Sequence, residues 1–552
     1  NGVTTINIDT FQNCSSLTSI NIPSSVRSIG ADAFAGCSSL ATVFIDSSTI
    51  ASGLTSASVY GGLIANADIV YIKTGLTPAS WLSANYSKLS ASDQSGYDMY
   101  IKGELITDFQ FTDNGTTASL VKYTGSASSV TIPSTISKRV VGSTTYYIVG
   151  SDLTVTSIAS ASSAANGAFY NKTGLQAVIL PSNLTQIGAF AFYGCNNLTS
   201  VTLPANVNTI GEGAFAECTK LASINIPNGV TTINIDTFQN CSSLTSINIP
   251  SSVRSIGTDA FAGCTGLAMA YIDSASIASQ LSSTTACGSL ISNAYIVYVN
   301  DNAVGSLSST FPFTLDTEGA QVAGYKKYLS PNVYTDFTFK TNEKTAMFTK
   351  YTGSAASVTI PSTVSKVVLN GETLYVVGSE YSVESVGAQA IWQNNDILEV
   401  IVPANVTTIA QNGIGNNPNL TKLTFASGSK LQTIGTAAFI DNSSLQSIAI
   451  PGSVTRIETA AFSGCSSLAV VYVDGVGVAV DLSDRTVCGS LLENASIVYI
   501  KDTAEVALPS DFTSMFTKVT SDVAGYAKYA DLTSLEGFVF TTNDTDMTAS
   551  LV

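Results

Sequence analysis

Residues 1–30, NGVTTINIDTFQNCSSLTSINIPSSVRSIG, recur letter for letter at 228–257, a displacement of 227 residues. Identical stretches that far apart mean a chain built of duplicated modules, and the two copies must fold alike. A shorter period runs inside each copy. Cys14 and Cys37 are 23 residues apart, as are successive members of Cys195, Cys218, Cys241, Cys264 and Cys287, and again Cys465 and Cys488. All nine cysteines thus share one 23-residue spacing.

The unit is read from the copy that begins at Leu198: Leu198, Val201, Leu203, Pro204, Val207, Ile210, Phe215 and Cys218, with Leu221 opening the next. Apolar spacings of two, three, four and five residues are mixed, which fits neither a continuous helix nor one long strand. They fit a coil. Leu-x-x-Ile-x-Ile turns alternate side chains inward on a short strand, Pro stops that strand, and Val-x-x-Ile with Ala-Phe brings the chain round to lay the next strand one layer on. Each turn then buries its apolar edge only against its neighbours, the defining economy of a solenoid.

The pattern LxxIxIPxxVxxIxxxAFxxCxx keeps its phase at Leu17, Pro23, Phe34 and Cys37, at Leu175, Pro181, Phe192 and Cys195, at Leu221, Pro227, Phe238 and Cys241, at Leu244, Pro250, Phe261 and Cys264, and at Leu445, Pro451, Phe462 and Cys465. It closely resembles the BspA-like leucine-rich repeats of bacterial surface proteins. With the residue pattern, the resemblance implies a β-rich repeat solenoid in which several arrays stand in tandem, separated by β-hairpin caps. Two turns depart from the pattern. From Ile397 the Phe place holds Ile414 and the Cys place Asn417, and the next turn carries two extra residues between Phe425 and Leu431, so these turns are expected to be irregular.

Spacers between the arrays recur too. Residues 122–138 (KYTGSASSVTIPSTISK) match 350–366, and CGSLISNAYIVYV (287–299) matches 488–500 and, more loosely, 60–72. Alternating stretches such as 337–353 read as β-hairpins that cover the first turn, since an open solenoid end exposes apolar side chains and strand edges. Similar leaders precede the arrays in the family resembled. The expected organisation is the C-terminal part of a first module at 1–105 and a complete second module at 106–333, with its β cap at 106–165, repeats at 166–290 and exit cap at 291–333. A third module follows at 334–533, with its β cap at 334–390, repeats at 391–490 and exit cap at 491–533, and a fourth starts at 534–552. Both ends read as cut from a longer polymer of modules, with any targeting segment or anchor outside the sequence.

Composition narrows the function. Of 552 residues, 23 are Lys or Arg and 39 Asp or Glu, a net charge of −16, yet only 11% are charged, under half of the roughly 25% usual in globular domains. An acidic chain without basic runs lacks the positive footprint that nucleic acid or anionic lipid requires. The chain contains no His, which removes Ser-His and Cys-His nucleophile pairs and every His-liganded metal site. The longest apolar run, Ala469 to Leu482, is shorter than the roughly 18 residues of a membrane span and is interrupted by Asp474.

Candidate sites are correspondingly few. Cysteines in one column suit buried thiols better than disulfides, because parallel neighbours hold their Cβ atoms near the roughly 4.8 Å layer spacing, and one column offers zinc no converging ligands. Asp46, Asp273 and Asp474 each follow the last strand of an array and read as strand-ending turns rather than a Ca²⁺ site, which needs about six to eight oxygens. No metal and no cofactor is expected. Of 12 Asn-x-Ser/Thr sequons, Asn85, Asn114, Asn171, Asn183, Asn405 and Asn494 are glycosylation candidates in a secretory setting. The outward strand positions Ser200, Thr202, Ser223, Asn225, Ser246 and Asn248 line up in rows on a small, polar, nearly uncharged face, a candidate binding surface for proteins or glycans of a matrix or of other cells. The exit-cap residues Tyr295, Tyr298, Tyr325 and Tyr328 read either as contact residues or as core. The family resembled is surface-exposed and tied to adhesion to host matrix and other cells, which implies a non-enzymatic extracellular or cell-surface adhesion protein. The alternative is a structural subunit of an extracellular filament, its partners other copies of itself.

Overall fold

The computed structural model describes residues 2–89, 92–141, 143–317, 321–483, 487–531, 540–543 and 548–551. The chain forms two compact units, Asn1–Ser330 and Pro331–Val552.

In the first unit each 23-residue turn contributes two short strands. The Leu-x-x-Ile-x-Ile segment supplies one parallel sheet, in which Ser129–Thr131, Ala177–Ile179, Ser200–Val201 and Ser223–Ile224 follow one another in register. The Val-x-x-Ile segment, expected only to turn the chain, supplies a second sheet: Leu153–Ile158 pairs with Gln186–Ile187 and that with Thr209–Ile210, at shifts of 29 and 23 residues. Its Thr-Ile dipeptides are β-branched and lie against identical partners one turn away, enough to hold extended backbone. Pro closes the corner between the two strands. Val207 N–H donates to Pro204 O, Val230 to Pro227 and Val253 to Pro250, each at 3.0 Å.

Inside the coil the Phe rings form a column. Phe169, Phe192, Phe215, Phe238 and Phe261 stack at centroid distances of 4.9, 5.3, 5.8 and 5.4 Å. The leading cap continues this column, for Tyr123, on the hairpin of Phe109–Asp113 and Thr117–Tyr123, stacks on Phe169 at 5.2 Å. That contact covers the first turn, the role expected of the hairpin. The residue before each Cys is left-handed: Gly36, Gly194, Gly263 and Gly464 have φ between 73° and 75°, and Asn13, Asn240 and Asp441 take the same region. Gly, Asn and Asp tolerate that region best, which explains their recurrence there.

The second unit repeats the plan. Hairpin Phe337–Thr341 with Thr345–Tyr351 leads, and Ser357–Thr359, Glu399–Val402, Lys422–Phe425, Ser447–Ile450, Val470–Val473 and Ile497–Lys501 form a sheet that Tyr526–Ala530 and Thr517–Val519 finish antiparallel. The turn with Ile414 and Asn417 is not irregular. Ile391–Trp392 pairs with Ile414–Gly415 in a 23-residue register, and buried Asn417 and Asn442 replace the thiols. Asn417 Nδ2 donates to Ile391 O at 3.2 Å and its Oδ1 accepts from Asn394 N–H, while Asn442 Oδ1 accepts from Asn417 N–H, so the amides satisfy one another along the column. Only the two extra residues disturb the register, lengthening the next step to 25 at Thr408↔Thr433 and Lys422↔Ser447. Of the fourth module at 534–552, most lies outside the described residues; Phe540–Asn543 pairs antiparallel with Thr548–Leu551.

All nine cysteines are free, but they are not one column. Cys37, Cys195, Cys218, Cys241, Cys264 and Cys465 each turn the thiol onto the carbonyl of the residue 26 places earlier, at 3.1 to 3.3 Å. Cys14 is exposed. Cys287 and Cys488 lie elsewhere, in a kink where Cys287 (φ 51°) precedes Gly288 (φ 62°) and Cys488 (φ 52°) precedes Gly489 (φ 65°). The last turn before each exit cap is longer: Phe261 N–H donates to Gly288 O, 27 residues on, where Phe238 reaches Ala260 after 22. The 23-residue spacing of Cys264 and Cys287 therefore does not place them at equivalent positions. In the first module the kink position is Tyr60, with φ 55°.

Burial pushes the thiols of Cys195, Cys264 and Cys465 up to about 12, and that of Cys287 to about 11. Little reactive thiolate forms near neutral pH. Thiol titration of the native chain should therefore show one fast equivalent, Cys14, and at most two slower ones from half-buried Cys287 and Cys488. All nine should appear on denaturation without reductant; fewer would mean cross-links. Phe215→Ala, opening the middle of the ring column, should cost about 3–5 kcal/mol in chemical denaturation.

Candidate functional site

The outward face of the Leu-x-x-Ile-x-Ile sheet is the surface that no turn covers. Ser200, Thr202, Ser223, Asn225 and Asn248 are exposed there and Ser246 is half-buried. Ser200 lies beside Ser223 in the ladder. Asn225 is committed to the fold: Leu203 N–H donates to its Oδ1 at 3.1 Å and its Nδ2 donates to Leu203 O at 3.2 Å, standing in for ladder bonds between adjacent strands. Among the sequons, Asn85, Asn114, Asn171, Asn183 and Asn494 are exposed and Asn405 is half-buried. Asn494 Nδ2 donates to Cys465 O at 3.3 Å, as Asn293 does to Cys264 O at 3.1 Å, so its amide pins the exit cap.

At the exit end the face changes character. Three times an aromatic pair stacks across adjacent strands and a third ring meets it edge-on: Phe44, Tyr71 and Tyr97, then Tyr271, Tyr298 and Tyr325, then Tyr472, Tyr499 and Tyr526. The stacked pairs are 4.5, 4.8 and 4.6 Å apart. Each edge-on Tyr donates its hydroxyl to the Asp that ends the array, Tyr97 to Asp46 at 2.7 Å, Tyr325 to Asp273 at 2.5 Å and Tyr526 to Asp474 at 2.5 Å. These aspartates do more than end a strand: they latch the antiparallel exit strand to the parallel sheet. Tyr298 and Tyr328 are buried, so the exit tyrosines are largely core.

In the first unit the aromatic face is itself covered. Tyr71, Met99 and Ile101 pack against Val141 and Ile148, which the hairpin of Thr135–Val141 and Thr144–Val149 brings from the following cap. Arg139 Nε lies 3.1 Å from Asp68 Oδ1, and Val149 N–H donates to Glu104 O, closing the seam. The first exit cap and the second leading cap are thus one packed body.

In the second unit the same face carries a groove of about 550 Å³. Its floor is Thr424, Ala449 and the half-buried Tyr472, consecutive in one cross-strand row. The loop of Ala426–Ser429, made by the two extra residues, forms one wall; it is closed by Ser429 N–H donating to Ala426 O and turned at Gly428, φ 73°. Asp474 and Lys501 stand at the other side. The position of Ala449 is Asn248 in the second array and Asn21 in the first, whose sequences read SINI where this one reads SIAI. Sequence reasoning treated this insertion only as a defect in the repeat. Among the described residues no three His, Cys, Asp or Glu side chains are grouped to hold a metal, and no helix is long and apolar enough to cross a membrane.

Stacked turns with one parallel sheet outward, sealed by β caps, define a leucine-rich repeat solenoid. The model of the BspA type leucine rich repeat region matches in six copies over residues 1–57, 139–268 and 344–469, more than half of the sequence, and the chain belongs to that family. Among solved structures it is similar to the leucine rich repeat protein of T. pallidum, at 32% identity over 31% of this chain and 71% of that one, with a TM-score of 0.26. It is also similar to a leucine rich cell surface protein of Faecalibacterium prausnitzii, at 21% identity over 74% and 98% of the two chains (TM-score 0.23), and to the pneumococcal vaccine antigen PcpA, at 15% over 74% and 89% (TM-score 0.22). No curated protein matches the chain.

Burial and the Asp partners push the hydroxyls of Tyr325 and Tyr526 up to about 12. A proton held more tightly in the folded state than in the unfolded one, near 10, stabilises fully below that value and loses its effect as pH rises through about 12. Phenolate absorbance should show a late-titrating class that Tyr325→Phe and Tyr526→Phe diminish, each change lowering stability by about 1 kcal/mol.

Proposed function

We propose that this protein is a non-enzymatic binding protein of the cell surface or extracellular space, acting in adhesion through the outward faces of its leucine-rich repeat sheets. The observation that carries this reading is the polar row itself. The side chains of Ser200, Thr202, Ser223, Ser246 and Asn248 have no protein hydrogen-bond partner among the described residues, while the rest of each turn is spent on packing. A flat array of unengaged hydroxyls and amides on a rigid support suits contact with a protein or glycan of a matrix or another cell. Nothing in it moves protons at a reacting centre: the aspartates nearest the face are occupied by tyrosine hydroxyls. Membership of the BspA-type family agrees with a surface location.

A second reading, a structural filament of modules, is favoured by the seam in the first unit, where one cap is built onto the next by Tyr71, Met99, Val141 and Ile148. Electron microscopy at several concentrations separates the two, ordered filaments with an axial module repeat supporting the fibre and single strings the adhesin. The adhesion reading predicts that Ser200→Glu, Ser223→Glu and Asn248→Glu together weaken binding of the labelled chain to cells or immobilised matrix proteins at least tenfold. Exposed substitutions of this kind leave stability within about 0.5 kcal/mol. Unchanged binding would end this reading of the face.

A further inference from the structure

We propose that the groove on the outward sheet of the second unit is a binding subsite for an uncharged oligosaccharide; this rests on the contact role proposed above and narrows it to one place and one ligand chemistry. Three departures from the repeat meet at this spot. Two residues are added in the loop of Ala426–Ser429, the outward Asn of the other two arrays becomes Ala449, and the Asn300 position of the second array becomes Lys501. A drifting repeat would scatter such changes over its turns. Here one raises a wall, one lowers the floor and one places a long donor at the rim.

The chemistry of the lining selects the ligand. Lys422 Nζ is bound to Glu399 Oε1 at 2.7 Å, so that cation is already neutralised. Lys501 has no ion pair among the described residues and faces a groove that also holds Asp474, whose Oδ1 takes the Tyr526 hydroxyl. Charges therefore balance, and neither a phosphate nor a polyanion finds the excess of positive charge that holds it. Hydroxyls of Thr424, Ser427 and Ser447 and the amino group of Lys501 offer donors and acceptors around a small apolar floor. Tyr472, held flat by stacking on Tyr499 at 4.6 Å and 6°, gives the floor a rigid aromatic end. A preformed cavity with apolar floor and convergent polar groups, within the usual 300–1,000 Å³, fits a few sugar rings, each with an apolar face and a polar edge.

The test uses the full chain on a printed array of uncharged and acidic oligosaccharides, followed by calorimetric titration of the best ligand. Ala449→Asn restores the residue of the sister arrays at an exposed site, so folding is preserved. Capture of an uncharged oligosaccharide, weakened at least tenfold by Ala449→Asn and by deletion of Ser427 and Gly428, is the expected result. Capture of acidic sugars alone, no capture, or equal affinity in Ala449→Asn would overturn the proposal. The same variant is then tested on cells. Binding retained with the groove filled sinks the oligosaccharide site alone, whereas indifference to the triple Glu variant of the first unit as well sinks the contact role.

Discussion

Everything in this protein depends on burial supplied by the neighbouring turn. The duplicated segment demonstrates it, because the same letters occur in two surroundings. Phe238, Cys241 and Leu244 are fully buried between turns, while Phe11 and Leu17, their counterparts in the first turn of the chain, are half-buried and Cys14 is exposed. Sequence sets what each side chain offers, and the adjacent layer decides whether it is taken out of water. A turn alone would hold two-residue strands and a few apolar groups, far too little to offset the cost of ordering its backbone.

From that constraint follow the two kinds of end. The leading caps complete the ring column with Tyr123 and Tyr351, aromatic in place of the missing layer. The exit caps solve the opposite problem by turning the sheet antiparallel and latching it with a Tyr–Asp pair, three times over. Between the ends the column tolerates exchange of chemistry so long as each group finds its partner one layer away: thiol to carbonyl in most turns, amide to amide at Asn417 and Asn442.

The inward positions were legible in the sequence because they repeat, and the Ala-Phe-x-x-Cys phase was enough to foresee the coil and its caps. What escaped were features that do not repeat at 23. Cys287 kept the spacing while five added residues moved it out of the column, so equal numbers concealed unequal places. The Tyr325–Asp273 pair spans 52 residues and belongs to no period. The groove was invisible for a different reason: two inserted residues look like noise until the strands on both sides are seen to remain paired, which makes the surplus project outward. Asn225, read as an outward contact residue, belongs to the ladder, a distinction that alternation of side chains alone does not carry.

Hydrogen bonds of the two sheets run along the stacking direction, and no covalent bridge joins one layer to another. Tension applied along that direction would load the layers in series, so the weakest yields first while the rest keep their structure. Each layer that opens frees 23 residues, roughly 80 Å of extended chain at about 3.5 Å per residue. A string of such arrays would act as a shock absorber that lengthens in equal increments and recoils when the load is removed.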